Sequence, residues 1–361
     1  MITAIGDNCI TPLGQTTSEN VAGVLSGASA LRQCKWGCAA AFASEINPIE
    51  GLNRFETLCV RSIDDAVASS SIGIDTNSPN VRFVLSSTKG DIEHLGTTEF
   101  RTLIESAQLI TRHFGNPNVP LVVSNACTSG VCALIYAMRL LTSGEWGDSN
   151  APKYVVVTGA DLMSEFVVSG FGSFKALSDE PCRPFDAARK GLNLGEAAAT
   201  LILTDAEISG WHLLSGSIHN DANHISGPSR SGEGSFRCLN DVLNGYDISK
   251  LALVCCHGTA TNYNDEMESI ALHRAALDAL PVNSLKPYFG HTLGAAGVLE
   301  TVVSIHALEQ GLIPATVGYV NQGTTFAMNV SGQTRTANQM AFVKLISGFG
   351  GTNAAVLFEK S

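Results

Sequence analysis

The chain has 361 residues, of which 45% are hydrophobic and 15% charged, and its formal net charge at pH 7 is −11. This length and balance predict one large or two smaller compact α/β units, and they exclude a disordered chain. The negative charge argues against nucleic acid or an anionic membrane surface as a partner. No apolar run reaches the roughly 18–20 residues that span a bilayer, and no signal peptide is recognisable, so we expect a cytoplasmic protein without a membrane span.

Strands and helices alternate along the chain, judged by hydrophobic periodicity and by turn residues. In chain order, the predicted strands are residues 2–14 (running into a turn), 81–85, 119–123, 154–157, 200–203, 211–218, 251–256, 282–285, 340–346 and 353–359. The predicted helices are residues 15–27, 55–69, 100–114, one directly after the strand 119–123, one ending near 243, 264–277 and 294–310; residues 28–54 are predicted to be loop-like. This alternation favours α/β layers with buried sheets.

The ten cysteines are expected to be reduced thiols, because the chain is large and carries no secretion signal. Cys34 and Cys38 lack a second close pair at zinc-site spacing, so the sequence predicts no structural metal. One cysteine stands apart from the others by its position, between a predicted strand and a predicted helix.

That cysteine is Cys127, which follows the strand 119–123 and precedes a helix. Backbone N–H groups at a helix start carry partial positive charge, and we expect them to lower the thiol pKa below its free value of about 8.5. Small neighbours at positions 126 and 128–130 leave room for a substrate. Taken alone, the same window also fits a small buried hydrophobic residue without a catalytic role.

Two histidine windows accompany this cysteine. His257 follows the strand 251–256 and is followed by glycine and hydroxyl residues, at the strand end where α/β folds place ligands. His291 lies five residues after Lys286, and Glu300 lies in the next helix. The conjunction of three reactive side chains with small neighbours predicts one catalytic site built from all three windows.

Each of these residues also has an ordinary structural interpretation: a satisfied core histidine, a surface lysine, a helix glutamate. The glycine-rich loop 348–351 reads Gly-Phe-Gly-Gly rather than G-x-G-x-x-G, so a dinucleotide site gains little support. The windows around Cys127 and His291 share a layout, because each places a reactive side chain before a helix that begins with small residues. This repetition predicts two similar halves whose helix starts meet near a pseudo-twofold axis.

The chain resembles the elongating (type I and II) β-ketoacyl-acyl-carrier-protein synthases, condensing enzymes of the thiolase superfamily. The motifs that carry the resemblance are CRPFDAARKGLNLGEAAATLIL, HGTATNYNDEME, GHTLGAAGVLE and SGFGGTNAAVLF, in this order. The resemblance covers nearly the whole chain and implies a duplicated thiolase-like α/β fold, layered α-β-α-β-α with two mixed five-stranded sheets. The N-terminal half, residues 1–208, would carry the nucleophilic cysteine, and the C-terminal half, residues 209–361, would carry both histidines.

The resemblance also implies a decarboxylative Claisen condensation in fatty acid or related polyene or polyketide biosynthesis. An acyl group on Cys127 would be attacked by the carbanion of malonyl-acyl carrier protein, with His257 and His291 binding the thioester oxygen, to give 3-oxoacyl-acyl carrier protein. No metal or redox cofactor is implied; the substrates would be carried on the phosphopantetheine of acyl carrier protein. The other implied roles are Lys286 as an active-site cation, Glu300 as its partner, Asp265 and Glu268 as supporting acids, and Phe349 as the gating ring and, through its N–H together with that of Cys127, the oxyanion hole.

The chain departs from the family pattern in ways that leave alternatives open. It is shorter than ordinary elongating synthases between Lys89 and Cys127, and again between residues 205 and 251. Residues 87–89 replace a glycine-rich turn, and residues 345–347 replace Asn-Ser-Phe. One alternative is a non-catalytic chain-length-factor subunit that binds an active synthase, and another is a decarboxylase or acyltransferase on the same scaffold. We expect a homodimer or a heterodimer of related subunits, in a housekeeping or an aryl polyene-like pathway.

Overall fold

The computed structural model describes residues 1–43, 47–144, 146 and 151–361. Its strands are β1 (Ile2–Ile10), β2 (Arg32–Cys34), β3 (Gly37–Ala39), β4 (Val81–Ser86), β5 (Leu121–Val123), β6 (Tyr154–Asp161), β7 (Ala197–Thr204), β8 (Trp211–Asn220), β9 (Leu253–Cys255), β10 (Pro281–Asn283), β11 (Leu312–Ile313), β12 (Asn329–Val330), β13 (Arg335–Thr336), β14 (Ala341–Gly348) and β15 (Thr352–Lys360). Its α-helices are α1 (Thr17–Leu25), α2 (Arg54–Ala68), α3 (Leu103–His113), α4 (Ser129–Thr142), α5 (Glu165–Ser173), α6 (Glu233–Val242), α7 (Asn262–Arg274), α8 (Lys286–Phe289) and α9 (Ala296–Glu309). Short 3₁₀ turns lie at Ile92–His94, Ile248–Lys250 and Leu293–Ala295.

Capping boxes fix where the outer helices of the first half begin. Asn53 accepts a hydrogen bond from the backbone N–H of Glu56, whose side chain bonds back to the Asn53 N–H. Thr102 and Glu105 form the same reciprocal pair at the start of α3. Each pair satisfies two N–H groups that have no partner within the helix. The cap at Thr102 explains why α3 begins three residues later than the sequence predicts.

The main sheet contains the same five-stranded arrangement twice. The strand order is β12-β10-β9-β14-β15-β8-β1-β7-β6-β4-β5. In the first half β1, β7 and β6 are antiparallel neighbours, whereas β6, β4 and β5 run parallel. In the second half β8, β15 and β14 are antiparallel, whereas β14, β9 and β10 run parallel. This identical pattern is what a duplicated unit produces.

The two five-stranded sheets are joined to each other by hydrogen bonds, a connection that was not predicted from the sequence. Strand β1 pairs antiparallel with β8 over three residue pairs, the first of them Ile2 with Leu213. The short strand β12 extends the far edge beside β10. The two predicted five-stranded sheets, together with β12, therefore form one continuous eleven-stranded mixed sheet.

The predicted five-layer α/β order is confirmed by the packing. Helices α4 and α9 contact each other and also contact strands of both halves, so they form the central layer. Helices α2 and α3 cover the outer face of the first half, and α6 and α7 cover the outer face of the second. The central cluster holds the largest set of buried side chains, contributed by α4, α9 and the inner faces of both half-sheets.

Three local predictions were wrong. Helix α5 was not predicted, because its glycines at 170 and 172 and its serines weaken the helical pattern. The predicted loop 28–54 contains the hairpin β2–β3. Strand β5 covers only Leu121–Val123, which are half-buried at the sheet edge, and Val119 is 75% exposed. Among the described residues, no helix combines the length and apolarity needed to cross a membrane.

Candidate active site

Cys127 lies on a tight turn between β5 and α4, as the sequence predicts. The preceding residue, Ala126, has a φ of +47°, which an L-residue rarely adopts. The Ser129 hydroxyl accepts a hydrogen bond from the Asn125 N–H at 2.8 Å and donates one to the Ala126 carbonyl at 2.5 Å, while the Thr128 hydroxyl donates to the Asn125 carbonyl at 2.6 Å. The hydroxyl residues around the cysteine therefore hold the turn that presents its thiol.

His291 is held by a strand-like pairing with a segment of the first half. Its N–H donates to the Asn193 carbonyl at 2.7 Å, and the Gly195 N–H donates to the His291 carbonyl at 3.0 Å. Gly290, just before it, has a φ of +67° and lies so close to the backbone of Leu194 that a Cβ would clash. The glycine is required here because only it permits both the conformation and the approach.

His257 follows β9 on a turn fixed by a buried carboxylate. The Glu268 side chain accepts hydrogen bonds from the N–H groups of His257 at 2.6 Å and Gly258 at 2.7 Å. Asn264 donates to the same carboxylate at 2.9 Å. Burial, together with the neighbouring Asp265, raises the Glu268 pKa to about 7. Glu268 thus sets the backbone that carries His257 and does not touch the thiol.

Asp265 holds the rest of this turn. Its carboxylate accepts from the N–H groups of Thr259 at 3.0 Å and Ala260 at 3.2 Å, and from the N–H of Phe185 at 2.6 Å. Burial raises its pKa to about 6. Both acids that the sequence assigned as supporting groups therefore bond to backbone around His257.

The two imidazoles and the thiol meet at one point. The Nε2 of His291 lies 2.9 Å from the Sγ of Cys127, and the rings of His257 and His291 have centroids 4.9 Å apart at an interplanar angle of 82°. The Leu293 N–H donates to Nδ1 of His291 at 3.3 Å. Because Nδ1 accepts this bond, the proton of the neutral ring is on Nε2, which donates toward the sulfur.

Both histidines are held in the neutral form. Burial lowers the pKa of His257 and of His291 well below the ordinary histidine value, and the nearby Lys286 ammonium lowers both further. A neutral imidazole at physiological pH can donate from Nε2 to an oxygen that gains negative charge. The pair is therefore suited to hydrogen-bonding an oxyanion.

The prediction of a lowered pKa for the Cys127 thiol was wrong. Burial raises its pKa to about 11, although Lys286 and Lys89 act in the opposite direction. The sequence predicts a lowered pKa from the helix start, but Cys127 is only 6% exposed, and desolvation of the thiolate outweighs the nearby positive charge. The cysteine therefore rests as a thiol.

A buried cluster of three charges lies behind the histidines. Lys286 forms an ion pair with one oxygen of Glu300, and Lys344 lies 2.5 Å from the other oxygen. All three side chains are at most 3% exposed. Although burial opposes its ionisation, the two ammonium groups lower the pKa of Glu300. Lys286 and Glu300 were predicted from the sequence, whereas Lys344 was not.

Phe349 and its loop cover the cysteine from the other side. The backbone at Gly348 lies so close that a Cβ there would be 3.2 Å from the Cys127 N atom. The Phe349 backbone N–H bonds to the thiol and opposes the rise in its pKa. The Phe349 ring stacks on Phe171, with centroids 5.6 Å apart, and meets Phe174 edge-on at 5.3 Å. Its position fits both roles that the resemblance implies.

These groups open into one cleft with a volume of about 780 Å³. Cys127, His257 and His291 lie at its buried end. Exposed cations line its rim, namely Lys175, Lys190 and Arg230. The cleft therefore leads from a positively charged rim to a thiol flanked by two imidazoles.

The same thiol and imidazoles could also ligate a soft metal ion. Cys127, His257 and His291 each offer one donor atom, and these atoms lie within 4.8 Å of one another. The proton on Nε2 of His291 opposes this role, since Nδ1 is already occupied by the Leu293 N–H. The buried ammonium groups behind the rings also repel a cation. The arrangement fits hydrogen-bond donation better than metal binding.

Two further charged residues lie at the site but were not predicted from the sequence. Asp161, at the end of β6, accepts from the N–H of Thr88 at 2.9 Å and the N–H of Gly294 at 2.6 Å, so it ties the loop after β4 to the segment after His291. Lys89 lies in that loop and acts electrostatically on the Cys127 thiol. In the sequence, the only indication of these two residues is that each lies among the polar residues at the end of a predicted strand.

Comparison with known proteins matches both family domains of β-ketoacyl synthases to this chain. The C-terminal domain of β-ketoacyl synthases matches residues 206–320, and the N-terminal domain of the same family matches residues 106–208. The chain is 30% identical over 278 residues to 3-oxoacyl-[acyl-carrier-protein] synthase 2 of Vibrio cholerae, an alignment that covers 70% of the chain and 64% of that relative. It is 26% identical over 420 residues to the protein of the same name from Coxiella burnetii, covering 100% of the chain and 98% of the relative.

Solved structures share the fold. A β-ketoacyl synthase from Burkholderia phymatum superimposes with a TM-score of 0.88 at 24% identity, covering 100% of this chain and 99% of that one. A ketosynthase in complex with its chain length factor from Xenorhabdus doucetiae gives a TM-score of 0.87 at 22% identity, covering 100% and 98%. These likenesses confirm the thiolase-like fold that the sequence motifs imply.

Proposed function

Because the chain belongs to the β-ketoacyl synthase family, we propose that it catalyses a decarboxylative Claisen condensation between an acyl group on Cys127 and malonyl-acyl carrier protein. The observation that carries the proposal is the donation from Nε2 of neutral His291 toward the Cys127 sulfur, 2.9 Å away, beside a second neutral imidazole. The chain spans about 64% of the length of its relatives from Schizosaccharomyces pombe and Vibrio cholerae, a putative and a named 3-oxoacyl-[acyl-carrier-protein] synthase respectively.

In the first step the Cys127 sulfur attacks the thioester carbonyl of an acyl-carrier protein. The N–H groups of Cys127 and Phe349 face the oxygen that becomes negative. The carbon–sulfur bond to the carrier breaks, and the proton that leaves the cysteine thiol is taken by the departing carrier thiolate. The product is an acyl-cysteine, which removes the need to hold a charged thiolate in a buried site.

In the second step the malonyl thioester oxygen accepts hydrogen bonds from Nε2 of His257 and His291. Loss of CO₂ leaves the electron pair on the α-carbon as an enolate, whose oxygen the two donors stabilise. That carbon forms a bond to the acyl carbonyl carbon, the carbon–sulfur bond to Cys127 breaks, and 3-oxoacyl-acyl carrier protein leaves. The cysteine thiolate takes up a proton and returns to the resting thiol. No metal or redox group takes part in these steps.

A test uses acyl transfer to the enzyme from the hexanoyl thioester of N-acetylcysteamine. Intact-protein mass spectrometry should find one hexanoyl adduct on the wild type and none on Cys127→Ser. Cys132→Ser is the matched control, because Cys132 is equally buried and lies five residues later, in α4, but does not line the cleft. It should acquire the adduct normally. A hexanoyl adduct that survives in Cys127→Ser contradicts the assignment.

The same assay separates the rival role of a chain-length-factor-like partner subunit. Such a subunit acquires no adduct alone, whereas a condensing enzyme does. The enzyme role is supported by the thiol and both imidazoles, whose donor atoms lie within 4.8 Å of one another. Addition of malonyl-acyl carrier protein to the acylated wild type should then release CO₂ and form a 3-oxoacyl product. An adduct that is stable to malonyl-acyl carrier protein would point to an acyltransferase.

A further inference from the structure

Lys344 is a buried charge that the proposed steps do not use. It lies in the middle of β14 and is 0% exposed. Its neighbours in the strand are apolar and equally buried: Phe342, Val343, Leu345 and Ile346. Burying an ammonium group is unfavourable unless it is paired and hydrogen-bonded, and an apolar side chain would fill the same space. Packing alone therefore does not explain why a charged residue occupies this position.

All the hydrogen-bonding capacity of Lys344 is directed at the site. Its Nζ lies 2.5 Å from Oε2 of Glu300 and donates to the carbonyls of Cys255 at 3.2 Å and Cys256 at 3.1 Å. Cys255 and Cys256 are the two residues that precede His257. The ammonium group thus joins its ion pair with Glu300 to hydrogen bonds with the backbone that precedes His257.

The cluster has an excess of positive charge. One carboxylate, Glu300, is shared by two ammonium groups, so one positive charge is left uncompensated within the cluster. The charged and titratable groups that face Lys344 are Cys255 on β9, Glu300 on α9 and Glu268 on α7; those that face the imidazoles are Lys286, Lys344 and Lys89. Charge of this sign favours a negative oxygen on the other side of the two rings.

We infer that Lys344 is a positioning residue for condensation: it supplies the second cation of a buried Lys286–Glu300–Lys344 cluster, whose excess positive charge stabilises the enolate held by His257 and His291. This inference rests on the proposed function. The group touches no substrate and acts through the histidines and the backbone before His257. Acylation of Cys127 forms its oxyanion at the backbone of the other loop and depends on it less.

The experiment compares two partial reactions in Lys344→Met, which keeps the length of the side chain and removes its charge. Hexanoyl transfer to Cys127 should stay within about threefold of the wild-type rate, whereas CO₂ release from malonyl-acyl carrier protein on the acylated enzyme should fall roughly tenfold or more. The acid limb of the condensation pH profile should move up by roughly half to one pH unit, because loss of a nearby cation makes protonation of the imidazoles easier.

Two further variants separate charge from packing. Leu345→Met perturbs the same buried strand without a change of charge and should leave both partial reactions and the pH profile unchanged. Lys344→Arg keeps the charge and should recover most of the condensation rate. If Lys344→Met does not fold, Lys344→Gln decides the question, since it keeps a donor for the carbonyls but no charge.

The outcomes distinguish this inference from the proposed function. A wild-type enzyme that acquires no adduct at Cys127 refutes the proposed function whatever the variants do. A Lys344→Met enzyme that condenses at the wild-type rate with an unmoved acid limb refutes the inference alone. If both neutral variants fail to fold while Lys344→Arg folds, Lys344 has a purely structural role, and the inference is also overturned.

Discussion

Cys127, the proposed nucleophile, is a protonated thiol at rest. Its pKa of about 11 reflects burial, which the backbone N–H of Phe349 and two lysines only partly offset. An enzyme that forms the thiolate only as the substrate arrives avoids a standing charge in an apolar pocket. In the proposed first step, proton transfer from the thiol is therefore coupled to attack on the thioester.

Lys89 should influence the reactivity of this thiol from outside the histidine cluster. We expect Lys89→Met to raise the Cys127 pKa further, because the Lys89 ammonium favours the thiolate. At pH 8 the rate of alkylation by iodoacetamide follows the thiolate fraction and should fall by about threefold or more. Lys175→Met removes a cation from the cleft rim and should alkylate at close to the wild-type rate; equal effects of the two variants would contradict the prediction.

Glu268 should make stability depend on pH. Its folded-state pKa of about 7 exceeds the ordinary glutamate value of 4.5, so the folded protein binds more protons than the unfolded chain between these pH values. The contribution of Glu268 to the free energy of unfolding is therefore largest below about pH 4.5 and falls as the pH rises toward 7.

The check is the difference in melting temperature between wild type and Glu268→Gln, measured from pH 5 to pH 8. Comparison at each pH cancels the opposite contribution of the histidines. The melting temperature of Glu268→Gln should rise relative to that of the wild type as the pH increases. A difference that is constant over this range would show that Glu268 does not carry a raised pKa.

At the scale of elements, the site depends on how closely two helices cross. A Cβ on Gly130 of α4 would lie 2.9 Å from the Val298 N atom, and a Cβ on Gly297 of α9 would lie 2.9 Å from the Gly130 carbonyl carbon. The two helices follow Cys127 and His291 respectively, so their contact brings the thiol to the imidazole. Sequence reasoning predicted this meeting of helix starts from the layout that the windows around Cys127 and His291 share.

Gly297→Ala should push these helices apart. The new methyl group meets backbone rather than a flexible side chain, so we expect a loss of about 1–3 kcal/mol in the free energy of unfolding, with slower acylation of Cys127. Urea denaturation and the hexanoyl adduct assay measure the two effects. Gly170→Ala, in α5 where nothing lies within 4 Å of the added Cβ, is the control and should be neutral or slightly stabilising.

At the scale of the whole molecule, the distribution of charge over the surface matters more for binding an acidic partner than the net charge does. The net charge of −11 would repel an acidic carrier protein, whereas Lys175, Lys190 and Arg230 form a cationic rim at the cleft. Lys190 is partly neutralised by Glu180, 2.8 Å away. If the proposed carrier protein docks at this rim, the other two cations should carry most of the attraction.

The double variant Lys175→Gln/Arg230→Gln should therefore raise KM for acyl-carrier protein by roughly threefold to tenfold at low salt, with less effect at high salt. Acyl transfer from the N-acetylcysteamine thioester should not change. Arg112→Gln/Lys250→Gln makes the same change in net charge outside the cleft lining. Equal rises in KM for both double variants would exclude docking at the rim.

The strand–turn–helix units around the reactive residues could be predicted from sequence, because small residues after an apolar strand are a local signal. The role of Lys344 could not, because one lysine within the apolar run 340–346 gives no indication of its partners on α9 and β9. The direction of the Cys127 pKa was also missed, since it depends on burial by residues far away in the chain. The joining of the half-sheets depends on three residue pairs between β1 and β8, which no local pattern indicates.

The pairing of β1 with β7 and β8 has a consequence for the synthesis of the protein. Strand β1 ends at Ile10, but its partners β7 and β8 are complete only at Thr204 and Asn220. At roughly 5–20 residues per second, a ribosome needs on the order of ten to forty seconds to supply them. During that interval an apolar strand with unpaired edges is exposed to other nascent chains. Cys127 is synthesised long before His257 and His291, so the proposed active site can assemble only after both strands have paired with β1.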